Sequence, residues 1–316
     1  MKLKHIFQCV LLTVLFLSDV DAGTFDDAAS LYKKGSYKDA FQSFEKLAKD
    51  GNSNAQYNIG MMYYNGVGVA RNKIMAFVWL EQASNKGNKL AQNKLGYMYE
   101  KGEVKGTQDE AKAVNEYLKS ALQNYNVAQL NLAMKYSENP TNKNLKIAFF
   151  WYEKAAANGS TPAMNNLANM YYHGQSVKKD YKKAFDYYFQ AASYGDNTAQ
   201  FNLSMMYYNG EYVKKNDEQT LIWLTFSAES GYALAQVRLG NFYKEGMIVK
   251  QDYQSALYWY YEAAKQNDPA GQYYVGNCYY YGLGIAKNLV KAKHWLEMSA
   301  GNNYDGAISF IKRNTF

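Results

Sequence analysis

Ala55-Gln56-Tyr57-Asn58-Ile59-Gly60-Met61-Met62-Tyr63-Tyr64-Asn65-Gly66-Val67-Gly68-Val69 is the stretch whose reading decides the fold. Its skeleton is Ala, four residues, Gly, two residues, Tyr, two residues, Gly. The skeleton returns at Ala91-Gly96-Tyr99-Gly102 and at Ala235-Gly240-Tyr243-Gly246. Near copies stand at Ala163-Ala168-Tyr171-Gly174, Ala199-Ser204-Tyr207-Gly210 and Gly271-Gly276-Tyr279-Gly282, and Ala128-Ala133-Tyr136-Asn139 is a degenerate one. First positions are separated by 36, 37, 35, 36, 36 and 36 residues. Self-similarity at one fixed period is the signature of a repeat architecture.

The tryptophans give the same period independently. Trp79, Trp151, Trp223, Trp259 and Trp295 lie on one grid of 36 or 72 residues, and Tyr117 and Tyr187 are read as occupants of the two vacant slots. Ala precedes five of the seven by three, with Thr220 before Trp223 and Val114 before Tyr117, and a small residue follows each by four, as in Ala76-Trp79-Ala83 and Ala256-Trp259-Ala263. Spacings of three, four and seven fall on one helical face. Each repeat is therefore expected to be two helices: A, with the Ala-Gly-Tyr face, and B, with the Ala-Trp-Ala face. A mid-helix Gly such as Gly60, Gly96, Gly240 or Gly276 costs about 1 kcal/mol relative to Ala. It is tolerable where two helices approach closely and a partner ring fills the gap. Gly66, Gly102, Gly174, Gly210, Gly246 and Gly282 stand where helix A should stop in a left-handed cap, and helix B should end at Gly87, Gly159, Gly195 and Gly231.

One hairpin has too little core to stand alone, so neighbours must stack. The expected fold is all-α, a right-handed α/α solenoid of about eight hairpins forming one continuous domain. Residues 23–52 form a shorter capping hairpin, seven repeats follow (53–88, 89–126, 127–160, 161–196, 197–232, 233–268, 269–304), and 305–316 cap the end. The chain has 316 residues, 48% hydrophobic and 20% charged, with 32 Tyr and 3 Pro, which excludes disorder and favours helices joined by short turns. At its start Lys2, Lys4 and His5 precede an apolar run from Ile6 to Leu17, with Val20 and Ala22 small. This reads as a secretory signal over 1–22, cut after Ala22, so the chain is expected to be exported, to the periplasm, the cell surface or beyond, and to keep no transmembrane segment. Cleavage would remove Cys9 and leave Cys278 the sole thiol.

These residues resemble the Sel1-like repeat family, relatives of the tetratricopeptide repeats. The resemblance covers 53–303, and Gly66-Val67-Gly68-Val69, Val177-Lys178-Lys179-Asp180, Val249-Lys250-Gln251-Asp252 and Gly282-Leu283-Gly284-Ile285 match the family's turn. One copy departs at Glu138-Asn139-Pro140-Thr141, where a local kink is expected. The resemblance implies adaptor or scaffold work without catalysis. Secreted bacterial members serve as periplasmic regulators, envelope-assembly parts or factors acting on host cells. One cysteine-rich branch is linked to β-lactam binding and carries a Cys pair in its repeats, a pair that this chain lacks.

No catalytic constellation emerges from the residues, and no metal or cofactor is expected. His173 and His294 lie in different helices, and zinc needs three or four closely spaced ligands. Cys278 falls inside a helix A and reads as a small buried hydrophobe. Lys178, Lys179, Lys182, Lys183, Lys214, Lys215, Lys250 and Lys287 gather in the turns, and stacking at about 10 Å per helix would make them a basic rim. Such a rim would suit an acidic protein, anionic lipid or polysaccharide; export disfavours nucleic acid.

Solenoids bind along the concave face, lined by helix A. Counting outward from the packed positions selects Tyr57, Met61, Tyr64, Asn65, Tyr97, Asn165, Asn169, Tyr172, Phe201, Met205, Tyr208, Asn241, Tyr273, Asn277 and Tyr280 as partner-binding residues. Asn93, Leu130, Met134, Asn209, Lys244 and Tyr281 fall on the same face. Tyr offers rigid amphipathic area, Asn pairs with backbone or sugar hydroxyls, and Met adapts. The expected function is a secreted, monomeric scaffold for a protein or peptide. A binder of peptidoglycan or another envelope glycan is the alternative, and a weak β-lactam-interacting protein stands third.

Overall fold

A computed structural model describes residues 22–103 and 106–314, with side chains from residue 25 onward. The leader expected over 1–22, with Cys9, lies outside the described residues except for Ala22. The described residues form seventeen α-helices and no strand. They divide into two compact units, meeting at Asn158 and Gly159.

The first unit holds α1 (Ala22–Lys33), α2 (Tyr37–Lys49), α3 (Ser53–Asn65), α4 (Lys73–Asn85), α5 (Lys89–Glu100), α6 (Glu110–Ala121), α7 (Asn126–Glu138) and α8 (Asn142–Ala157). The second holds α9 (Thr161–His173), α10 (Tyr181–Ser193), α11 (Asn197–Asn209), α12 (Asp217–Glu229), α13 (Ala233–Glu245), α14 (Tyr253–Ala264), α15 (Pro269–Tyr281), α16 (Leu289–Gly301) and α17 (Asp305–Arg313). From α3 to α16, odd-numbered helices are A and even-numbered ones B. Within each unit every helix packs on its successor.

The turn chemistry explains why helices start and stop where they do. Asn72, Asp180, Asn216, Asp252 and Asn288 cap the B helices by accepting backbone N–H bonds from the first turn. Gly66, Gly174, Gly210, Gly246 and Gly282 end A helices in the left-handed region, at φ from 65° to 75°. After helix B the left-handed residue is Gly87, Gly159, Gly195 or Gly231, and in the other repeats Asn124, Asn267 or Asn303 at φ 57° to 63°. Asn is the side chain that best tolerates this region. Glu138-Asn139-Pro140-Thr141 is a shortened connection in which Thr141 caps α8.

The core follows the small residues. Ala55, Ala91, Ala128, Ala163, Ala199 and Ala235 on the A helices are fully buried, as are Ala76, Ala113, Ala148, Ala184, Ala256 and Ala292 on the B helices. The ring expected over each mid-helix Gly belongs to a slot one residue beyond the Trp. A Cβ on Gly96 would lie 2.6 Å from the Tyr117 ring, and one on Gly240 2.6 Å from Tyr260. On Gly60 and Gly276 it would meet Leu80 at 2.7 Å and Leu296 at 2.6 Å, so at these two positions the filling side chain is not a ring. Leu80, Tyr117, Tyr152, Tyr188, Leu224, Tyr260 and Leu296 form this deepest row, none more than 5% exposed. Tyr117 is thus not a stand-in for Trp. Ala113 places Glu116 in that slot, because the second repeat's turn is one residue longer. Most tryptophans are half-buried and bridge successive B helices, as Trp223 does with Phe189 (5.9 Å) and Trp295 with Tyr261 (5.7 Å).

Candidate partner-binding face

The residues proposed from sequence as a lining sit at four recurring register positions along the A helices. Asn65 and Tyr97 are exposed and Asn165 is buried. Tyr57, Met61, Tyr64, Asn169, Tyr172, Phe201, Met205, Tyr208, Asn241, Tyr273, Asn277 and Tyr280 are half-buried. Many serve the fold as well. Tyr57 and Tyr64 pack on a core of Leu80, Ala83, Ala91, Leu95 and Met98 in the first unit. Phe201 and Tyr208 pack on Leu224, Ala228, Ala235, Leu239 and Phe242 in the second. Tyr273 and Tyr280 are in ring contact with Phe310 of α17, at 6.3 and 5.1 Å.

In the fourth and sixth repeats the position after the mid-helix Ala or Gly is paired with the deep row of helix B, whereas Tyr117 donates to Glu100 and Tyr152 pairs with Ser137. Tyr188 donates its hydroxyl to Asn169 Oδ1 at 2.5 Å, and Tyr260 donates to Asn241 Oδ1 at 2.8 Å. Where the deep residue is Leu, as at Leu80 and Leu224, the partner position is Met61 or Met205. Asn277 faces the exception. Its register partner is Leu296, and its Oδ1 is buried without a hydrogen-bond donor. Asn165 is held similarly, accepting from Asn202 Nδ2 at 3.0 Å.

A second register device joins adjacent A helices. Lys94 Nζ lies 3.4 Å from the centre of the Tyr64 ring and 4.4 Å from that of Tyr97. The Arg238 guanidinium carbon lies 5.2 Å from Tyr208 and 5.1 Å from Phe242. Both cations stand thirty residues after their Tyr, and Lys244 over Tyr274 at 5.4 Å is the same pair reversed. A cation over an aromatic face is attracted by the ring quadrupole.

Carboxylates extend the network. Glu103 accepts from Lys73 Nζ at 2.7 Å and from the Tyr64 hydroxyl at 3.1 Å. Burial would raise its carboxyl, but the bonds from Lys73 and Tyr64 outweigh that and hold it below the usual range. The Tyr172 hydroxyl donates to Glu211 at 2.9 Å, and burial together with this bond pushes its pKa up to about 12. Lys94 is different. Burial brings its ammonium down to about 8 despite the pull of Glu103.

Sequence reasoning missed one recurring polar device. Gln56, Gln92, Gln129, Gln200 and Gln236, each one residue after the packed Ala, are buried. Each donates to a carbonyl eight residues earlier, at the end of the preceding B helix, at 2.9 to 3.3 Å. The signal was present as Gln at that position in every repeat but the fourth, which has Met164. The turn lysines Lys178, Lys214 and Lys250 are exposed at intervals of 36 residues. Lys215 pairs with Asp217 at 3.7 Å and Lys182 with Asp186 at 2.8 Å. Cys278 is buried as expected, and burial pushes its thiol up to about 11. Among the described residues no group of three His, Cys, Asp or Glu is placed to hold a metal, and no helix is long and apolar enough to cross a membrane.

Repeated antiparallel hairpins with interlocked A and B faces define the class: an α-helical repeat solenoid. The Sel1 repeat model matches residues 53–88, 89–125, 126–160, 161–196, 197–232, 233–268 and 269–304, so the chain belongs to the Sel1 repeat family. A Sel1 repeat protein of Oxalobacter formigenes is similar in structure at a TM-score of 0.72 and 29% identity, over 91% of this chain and 86% of that one. The immunity protein PA5088 of Pseudomonas aeruginosa aligns at 0.51 and 20%, over 72% and 87%. The protective antigen c5321 of uropathogenic Escherichia coli, an SLR fold, aligns at 0.47 and 29%, over 84% and 65%. Sel1 repeat proteins are generally non-enzymatic scaffolds for protein–protein interaction.

Proposed function

We propose that this chain is an exported, non-enzymatic scaffold that holds a protein or peptide partner against the face of its A helices. The observation that carries the reading is the recurrence of half-exposed Tyr at one register, Tyr64, Tyr172, Tyr208 and Tyr280, beside exposed Tyr97 and Asn65. Rigid rings with a polar tip give contact area at low entropic cost and suit an extended segment. Candidate partners captured from envelope and host fractions would be identified, purified and titrated back against the chain. Hydrogen exchange in the complex should then show protection concentrated on the A helices. Changing Tyr64, Tyr208 and Tyr280 together to Ala should abolish binding while helical circular dichroism is retained. Undiminished binding by that variant would sink the proposal.

A further inference from the structure

Among the described residues, Arg238 carries a charge that no carboxylate answers. It is half-buried, its guanidinium lies against Tyr208 and Phe242, and its Nε is buried without an acceptor. Among the described residues no carboxylate pairs with it and no oxygen accepts from its donors. A half-buried guanidinium ordinarily finds a carboxylate or phosphate, which its planar fork binds through two parallel bonds.

The first unit repeats the arrangement in the same register. Lys94 stands three residues after Ala91 as Arg238 does after Ala235, and it lies on Tyr64 as Arg238 lies on Tyr208. Glu103, the residue after the Gly102 cap, takes Lys73 and the Tyr64 hydroxyl but makes no ion pair with Lys94. In the second unit the residue after the Gly246 cap is Met247, so the same position supplies Arg238 with no acid. The other repeats have Asn58, Asn131, Asn166, Asn202 and Tyr274 at this position.

We propose that Arg238 and Lys94 are anion-reading positions on the A-helix face, each receiving an acidic side chain, Glu or Asp, from an extended partner segment. Each unit holds one. An extended segment lying across the A helices of either unit presents side chains along its whole length and a C-terminal carboxylate only at its end, which favours side chains as the source. The flanking rings exclude water from one side of each cation and hold it in place, so the ion pair forms in a less screened setting than the turn lysines offer. The inference rests on the A-helix face being the binding face and adds the chemistry of the partner.

Fluorescence anisotropy with the full chain tests it, using a labelled, C-terminally amidated peptide of alternating Glu and Ala. The controls are its Gln analogue with a free C-terminus and a phosphoserine analogue. The Glu peptide should bind and the Gln analogue should not. Arg238→Met and Lys94→Met combined should weaken binding by about tenfold or more. Arg238→Lys and Lys94→Met, each alone, should show intermediate losses, which keeps the test open if the double variant fails to fold. Full binding by the folded variants overturns the proposal. So does a loss produced instead by Lys178→Ser, Lys214→Ser and Lys250→Ser together, equal binding of the Gln analogue, or preference for phosphoserine. Absence of binding by the Glu peptide also overturns it, while the tyrosine triple variant judges the scaffold reading separately.

Discussion

The Tyr260 hydroxyl donates to Asn241 Oδ1 at 2.8 Å while the same ring fills the space left by Gly240. One side chain thus explains a glycine that weakens its own helix and an amide that looked available for a partner. In the next repeat the ring is replaced by Leu296, and Asn277 keeps a buried Oδ1 without a donor. Tyr260→Phe should therefore destabilise the second unit by about 1–3 kcal/mol, the cost of stranding a buried acceptor. Leu296→Tyr should stabilise it by about 1 kcal/mol if the new ring seats over Gly276 as Tyr260 seats over Gly240. Thermal unfolding of the two variants checks both signs, and a Leu296→Tyr variant that melts earlier would contradict the pairing.

Two kinds of glycine should respond to substitution for different reasons. Gly240→Ala gains helix propensity of about 1 kcal/mol, yet its methyl would sit 2.6 Å from the Tyr260 ring in a full core. Overpacking of this kind costs about 1–3 kcal/mol, so the net change should be destabilising. Gly87 has φ +82° and open space around a Cβ, and Asn124, Asn267 and Asn303 hold the equivalent place in other repeats. Gly87→Asn should be nearly neutral and Gly87→Val clearly harmful. Melting temperatures of the three variants, taken side by side, test the ranking.

The period, the two-helix repeat, the left-handed caps and the buried alanines were all legible in the sequence, because each is a backbone requirement that recurs in register. Tyr117 shows where legibility failed. It stands 38 residues after Trp79, not 36: one extra residue in the second turn puts Glu116 in the Trp slot and Tyr117 in the deeper one. Asn169 and Asn241 show another limit: their amides meet hydroxyls from Tyr188 and Tyr260, nineteen residues away on the facing helix. Helix-face counting sees one helix at a time, so it reads such positions as available. Arg238 and Lys94 were hidden for the opposite reason, since they break the pattern in only two repeats.

The buried glutamines predict a separate effect. Gln236 Nε2 donates to the Ala228 carbonyl at 2.9 Å, satisfying an acceptor at the end of α12. Gln236→Leu keeps bulk but removes this second bond to a carbonyl that the Gly231 N–H still reaches at 3.0 Å, which should cost about 0.5–1.5 kcal/mol. The loss should be local, seen as faster amide exchange where α12 ends and α13 begins while helices elsewhere in the unit stay protected. Uniform acceleration across the unit would show that the bond does not act where the geometry puts it.

Lys94 makes a prediction about pH. Burial brings its pKa down to about 8 against an ordinary value of 10.5. Between those values the unfolded chain binds a proton that the folded chain has released, so stability rises with pH as Lys94 titrates. The window that tests this runs from about pH 8 to 9.5, below the range in which unfolded tyrosines ionise. Tyr64 beside it is raised, by burial first and then by its bond to Glu103, so it stays neutral there. In that window Lys94→Met should flatten the upward slope of the unfolding free energy relative to the unmodified chain. The ammonium itself should titrate near pH 8 by NMR of labelled lysine, and an acidic peptide bound at Tyr64 and Tyr97 should drive that midpoint upward. A lysine that titrates at its ordinary value, or one whose midpoint ignores bound peptide, would remove Lys94 from the binding face.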